Sequence, residues 1–180
     1  MKRVMVFIDG NNFEKAVTNL YSGSQQRIDY SKLANYLAGK RNGNLQRLYY
    51  YTAASNNDKQ KAASTKNFVD TLNKQVPNCI AKIGYLQVVG KDASGQDIYT
   101  EKGTDVNIAV DLVSLAFFNA YDEAILLSAD TDYEPAVNMV RQFGKTVVLG
   151  IVDRQKAGYL KGLCDDHISL QIADLDQVKR

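Results

Sequence analysis

Apolar residues gather in five short runs, at residues 4–8, 45–52, 80–89, 124–127 and 146–152. Runs of this kind suit strands buried on both faces, as in a parallel sheet. Between them the apolar positions recur at intervals of three and four. Residues 12–21 carry Phe13, Ala16, Val17 and Leu20, and residues 30–38 carry Leu33, Tyr36 and Leu37. Residues 57–75 carry Ala62, Ala63, Val69 and Leu72. Residues 105–118 carry Ile108, Ala109, Leu112, Leu115 and Ala116, and residues 132–143 carry Ala136, Val137, Met139, Val140 and Phe143. That spacing predicts helices, with Leu112, Leu115 and Phe118 in the core. Strands alternating with helices imply right-handed βαβ units, hence a three-layer α/β/α sandwich around a mainly parallel sheet. The polar stretch 90–102, which contains Gly95, breaks the alternation and reads as a hairpin or flap. A last short strand is expected at 167–172. No linker or composition shift divides residues 1–180, so one domain is expected.

Composition narrows the class. The chain has 180 residues, 45% hydrophobic and 23% charged, as in a soluble globular domain able to bury a core without staples. Its 22 Lys and Arg against 20 Asp and Glu leave a net charge of +2, which excludes a binder working by bulk positive charge. A local basic groove stays open. Cys79 and Cys164 form no CxxC pair, so a reducing, cytoplasmic setting is expected. The first apolar run stops at Asp9, too short for a secretory leader, and no apolar stretch approaches the ~20 residues of a membrane span. His167 is the one histidine, so a His-rich metal site is excluded and any Ser-His-Asp mechanism must use it.

In open parallel sheets, ligands bind beyond the carboxyl ends of the strands, where strand order reverses. Asp9-Gly10-Asn11-Asn12 follows the first run, Ser128-Ala129-Asp130-Thr131-Asp132 follows the fourth, and Lys102-Gly103-Thr104-Asp105 opens the helix before it. Each acid has an ordinary local job. Asp9 before Gly10 suits a turn, and Asp105 suits a helix N-terminus. Thr131 with Glu134 matches a capping box around Asp132, which leaves Asp130 with no capping job. Taken together the four would crowd one crevice. Two unit charges ~4 Å apart repel by roughly 4 kcal/mol at an effective dielectric near 20. Lys102 offsets part of this, and a divalent ion is the usual remedy. An all-oxygen set favours Mg²⁺ or Mn²⁺, and an open carboxylate site of that type can activate water and stabilise the departing oxygen in phosphodiester hydrolysis.

Other candidates weigh less. Gly10-Asn11-Asn12 is no phosphate loop. A haloacid-dehalogenase-like phosphatase needs a second aspartate where Asn11 stands. Cys164 to His167 reads as a surface turn. Tyr49-Tyr50-Tyr51 alternates faces, so at most one face could stack bases, and core packing is the simpler role. Lys59, Lys61, Lys66 and Lys74 make the third helix basic, with Lys59 placed to guide phosphate at the crevice mouth. Arg154, after the fifth run, is a further substrate-contact candidate.

FIDGNN, EKGTDVNIAVDL and LLSADTDYEP resemble the NYN domains, members of the PIN-like nuclease superfamily, over about residues 4–152 and in family order. The resemblance implies a Rossmann-like sandwich and a metal-dependent ribonuclease centre. Its acids correspond to Asp9, Asp105, Asp130 and Asp132, Asn12 and Ser128 match residues that orient the acids or the phosphate, and Asp111 matches a recurring acid. Six residues of helix turn through ~600°, so Asp111 points away from Asp105. The resulting expectation is an endoribonuclease acting on single-stranded RNA with Mg²⁺ or Mn²⁺. The alternatives are a non-catalytic RNA-binding or regulatory module that keeps the metal, and a small-phosphate hydrolase.

Overall fold

A computed structural model describes residues 1–53, 59–91, 94–95 and 97–180, leaving out the side chains of residues 59, 85–88 and 97–102. The elements run β1 (Lys2–Asp9), α1 (Gly10–Leu20), α2 (Tyr30–Lys40), β2 (Gly43–Ala53), α3 (Lys59–Gln75), β3 (Cys79–Lys91), β4 (Asp97–Lys102) and α4 (Thr104–Phe117). Then follow β5 (Glu123–Leu127), a 3-10 turn (Thr131–Tyr133), α5 (Glu134–Gln142), β6 (Thr146–Val152), α6 (Gly158–Leu163), β7 (Asp166–Leu170) and α7 (Ile172–Gln177).

The sheet order is β4-β3-β2-β1-β5-β6-β7. Six strands are parallel, and β4 pairs antiparallel with β3, which is the expected hairpin. The chain winds outward from β1 through β2 to β3, then restarts at β5 on the other side of β1. Strand order therefore reverses between β1 and β5, whose Ile8 and Leu127 are paired. This is the crevice position of a doubly wound sheet.

Alternation along the strands fills two cores. Val4, Val6, Ile8, Leu48 and Tyr50 face α1, α2, α3 and α7, while Met5, Phe7, Tyr49 and Tyr51 face α4, α5 and α6. The result is the three-layer sandwich that the alternating pattern implies. All three tyrosines at 49–51 are buried, so none offers a surface for base stacking.

Four details differ from the sequence pattern. Phe118 is 75% exposed because α4 ends at Phe117, and its ring packs edge-on against that of Phe117. The helix expected from Asp132 starts as a 3-10 turn and becomes α-helical at Glu134, with Pro135 in the first turn. The last strand stops at Leu170 because Gln171 and Asp174 form a reciprocal capping box for α7. Helices α6 and α7 have six residues each, too few to show a period. Of the helix expected over 57–75, residues 57 and 58 lie outside the described residues. Among the described residues, no helix is long and apolar enough to cross a membrane.

Candidate functional site

The site is built from strand ends. β1 passes directly into α1, and Asp9 is both the last strand residue and the helix N-cap, its Oδ1 accepting the Asn12 N–H at 3.2 Å. A side chain at position 10 would collide with the Tyr50 hydroxyl and lie 2.7 Å from the Tyr51 carbonyl oxygen. Glycine lets the turn press against β2 and keeps Asp9 at the strand edge. Gly103 does similar work for α4. Its φ of 93° suits glycine, and it sets Asp105 in the first helical turn, where the helix dipole favours a carboxylate.

Asp9 is only 5% exposed. Its Oδ2 accepts the Ser128 hydroxyl at 3.0 Å and lies 3.3 Å from the Tyr133 hydroxyl. That same hydroxyl donates to Asp105 Oδ1 at 2.8 Å. One hydroxyl hydrogen thus stands between two carboxylates. Burial raises the Asp9 pKa above the ordinary aspartate value. The Asn12 and Ser128 donors oppose the rise, the Asp105 charge adds to it, and Tyr133 opposes it. The Tyr133 phenol is pushed far up by burial and then by Asp9, with Asp105 and Asp130 adding to the effect, so it stays a donor.

The neighbouring loops are tied to this pair. Ser128 Oγ also accepts the Asp130 N–H at 3.2 Å. Asn12 Oδ1 accepts the Ala129 N–H at 3.1 Å and Gln155 Nε2 at 2.6 Å, joining the turns after β1, β5 and β6. Asp130 does have a capping job, contrary to the sequence reading. It is the N-cap of the 3-10 turn, its Oδ1 accepting the Asp132 N–H at 3.0 Å. The turn starts one residue before the expected box, so Asp130 takes the role assigned to Thr131. Asp132 is exposed and lines a small open pocket with Glu134 and Tyr159.

Asp111 belongs elsewhere. Its Oδ2 accepts the Tyr51 hydroxyl at 2.7 Å and pairs with Lys82 Nζ at 2.5 Å, one and two strands away from β1. It buttresses α4 against β2 and β3, as its helical phase relative to Asp105 suggests. Arg154 follows β6 at the same sheet edge as Asp9, is 80% exposed on its side chain, and among the described residues pairs with Asp153, at 3.9 Å. The side chains of Lys59 and Lys102 lie outside the described residues.

Sequence reasoning passed over Tyr133, Gln155 and Lys82. Tyr133 left one signal: a buried phenol needs a hydrogen-bond partner, and the acids stand beside it in sequence. The contacts of Gln155 and Lys82 join residues 143 and 29 positions apart, beyond any local pattern.

Among the described residues, no three His, Cys, Asp or Glu side chains come together closely enough to hold a metal ion by themselves. Two carboxylates do meet, at Tyr133. Mg²⁺ commonly keeps several waters and takes one or two carboxylates plus substrate phosphate oxygens, so an all-oxygen pair fits that mode of binding.

The geometry agrees with what this chain is similar to. The family model for the NYN domain matches residues 3–171. Low amplitude and bright protein LabA from Synechococcus elongatus is 24% identical over 177 residues, covering 93% of this chain and 83% of its own length. A crystal structure of a protein of unknown function from Vibrio parahaemolyticus superposes with a TM-score of 0.67 at 20% identity, covering 99% of this chain and 96% of the other, and shares the fold. With the motif acids at the reversal of a doubly wound sheet and a family match over nearly its whole length, the chain belongs to the NYN domain family, within the PIN-like nuclease superfamily.

Proposed function

We propose that the protein is a metal-dependent endoribonuclease, hydrolysing phosphodiester bonds of single-stranded RNA at the crevice between β1 and β5. The observation that carries this reading is the Asp9–Asp105 pair sharing the single Tyr133 hydroxyl at the point where strand order reverses. NYN domains are typically nucleases, which gives that pair its chemical context. A divalent ion, Mg²⁺ or Mn²⁺, held there would neutralise phosphate charge and supply an activated water for in-line attack. The chain's own residues prepare the place. The Asn12 N–H and the Ser128 hydroxyl fix the Asp9 rotamer, and Tyr133 keeps the two carboxylates apart. Asp130 Oδ1 is committed to its cap, while its Oδ2 has no partner among the described residues and is free to join the set, with Asp132 at the rim. The unpaired thiols of Cys79 and Cys164 suit the reducing cytoplasm we assign.

The test is cleavage of single-stranded RNA in Mn²⁺ or Mg²⁺ with and without EDTA. Asp9→Asn and Asp130→Asn should each slow cleavage at least ~100-fold, the scale of several kcal/mol of charge stabilisation. Cleavage that survives both variants points to a contaminating nuclease. Because only two carboxylates meet at Tyr133 among the described residues, one other reading stands beside it, a non-catalytic RNA-binding or regulatory module with a retained metal site. Binding of RNA without cleavage in either metal would establish that reading instead.

A further inference from the structure

A cleft of about 900 Å³ opens between α1, α2, α3 and the end of β2, on the opposite face of the sheet from α4. Its volume lies in the range of about 300–1,000 Å³ typical of small-molecule sites. It meets the turn after β1, which carries Asp9, from the other face of the sheet. Thr52, on its wall, donates to Asn11 Oδ1 at 3.1 Å, two residues after Asp9. Tyr50, also on its wall, packs directly against Gly10.

The lining has unusual chemistry for a surface groove. Tyr30 and Tyr50 both donate to Glu14 Oε1, each at 2.8 Å. Both phenols are deeply buried, and burial with the Glu14 charge pushes their pKa values well up, so both remain donors. Two donors use both lone pairs of Oε1. Oε2 has no partner among the described residues, and Glu14 lines the cleft, so an acceptor with two lone pairs is left on offer. Phe68 packs edge-on against Tyr30 and Tyr50, at 6.0 and 5.6 Å between centroids, and forms an aromatic wall only partly buried. Arg27 and Arg180 stand at the mouth. The Arg180 N–H bonds the Arg27 carbonyl at 3.0 Å, which holds the two together, and neither guanidinium pairs with a carboxylate among the described residues.

We propose that this cleft is a guanine subsite, which takes a base next to the phosphate cleaved at the Asp9–Asp105 crevice; it rests on the ribonuclease reading. Guanine carries two adjacent donors on its Watson–Crick edge, N1–H and N2–H, and these match the free Glu14 oxygen. Adenine and cytosine set a ring acceptor beside their amine, and uracil flanks its N–H with two carbonyls, so each turns an acceptor towards the carboxylate. The O6 and N7 acceptors of guanine suit an arginine fork. Single-stranded RNA presents splayed bases in this manner, stacked on an aromatic wall and read by their edges.

Binding of 5′-GMP, 5′-AMP, 5′-UMP and 5′-IMP to the Asp9→Asn protein, by calorimetry in metal-free buffer, tests the site without catalysis. GMP should bind at least about tenfold tighter than AMP or UMP, with IMP, which lacks the 2-amino group, between them. Glu14→Gln offers an amide donor and should erase the GMP advantage. Ser64→Phe, which narrows the cleft without touching Glu14, should weaken all four. In wild type with Mn²⁺, hexamers containing one guanine should be cut beside it, and inosine hexamers more slowly. Equal binding of the nucleotides, or a GMP advantage that survives Glu14→Gln, overturns the proposal. GMP preference without any preference among hexamers also overturns it and marks a free-nucleotide site. Base preference with no cleavage defeats the ribonuclease reading and leaves the base site standing, whereas cleavage with no base preference defeats the base site only.

Discussion

Tyr133 has one hydrogen and faces two acids, so the charge balance around Asp9 is set by burial and a few named donors. The Asp9 carboxyl titrates above its ordinary value of 3.8 because burial disfavours its charge. As pH rises past that value the unfolded chain gives up this proton first. The folded protein then holds the extra proton, so stability falls as pH climbs towards the folded pKa and levels off beyond it. Stability from the protonated form is fully present below 3.8. Asp9→Asn removes this dependence. Urea denaturation in metal-free buffer, from pH about 4 to about 7, should show wild type losing stability relative to the variant; parallel curves would show that Asp9 does not titrate this way. The acids were legible because each follows a strand or opens a helix. Tyr133 was not, since its value lies in bridging residues 124 and 28 positions away.

Elements show the same division between what is local and what is not. Strands β1, β2, β5 and β6 follow apolar runs closely, because parallel strands covered on both faces need nothing but apolar side chains. The runs did not reveal what fixes the opposite, N-terminal edge of the sheet. Glu123, the first residue of β5, is 2% exposed and accepts Lys2 Nζ at 2.8 Å and Arg41 Nε at 2.9 Å. Arg41 also pairs with Asp166 at 2.5 Å, so one carboxylate ties β5 to β1, to the end of α2 and, through Arg41, to β7. In the sequence Glu123 is the second of two adjacent acids, after Asp122, at the start of an apolar run, which hides its buried position. Removing one member of a buried ion pair leaves the other charge uncompensated, at about 3–5 kcal/mol. Lys2 and Arg41 keep some access to water, so Glu123→Ala should destabilise by about 3 kcal/mol in urea titrations, with RNA cleavage per folded molecule unchanged. A loss below about 1 kcal/mol would place Glu123 among ordinary surface pairs.

Over the whole molecule the two sheet edges divide the work. The N-terminal edge is closed by ion pairs among Lys2, Arg41, Glu123 and Asp166, while the C-terminal edge gathers acids whose charges are only partly offset. The alternation of strands and helices was enough to anticipate the crevice at the C-terminal edge, whereas the ion pairs of the opposite edge join residues far apart in sequence. A cation that binds only the folded chain stabilises it by RT ln(1 + [L]/Kd), about 2.7 kcal/mol at a hundredfold excess over Kd. For a chain of this size that is a rise of about 5–10 °C in Tm. Mn²⁺ should therefore raise the melting temperature of wild type, and EDTA should reverse the rise. Asp105→Asn should lose the increment because it breaks the pair at Tyr133. Asp111→Asn should melt earlier, since it weakens the contacts to Lys82 and Tyr51, yet keep the full increment. The contrast between two aspartates six residues apart on one helix separates metal binding from general stability. If both variants keep the increment, the ion binds away from the Asp9–Asp105 pair. If both lose it, α4 as a whole, and not the carboxylate at its first turn, governs binding.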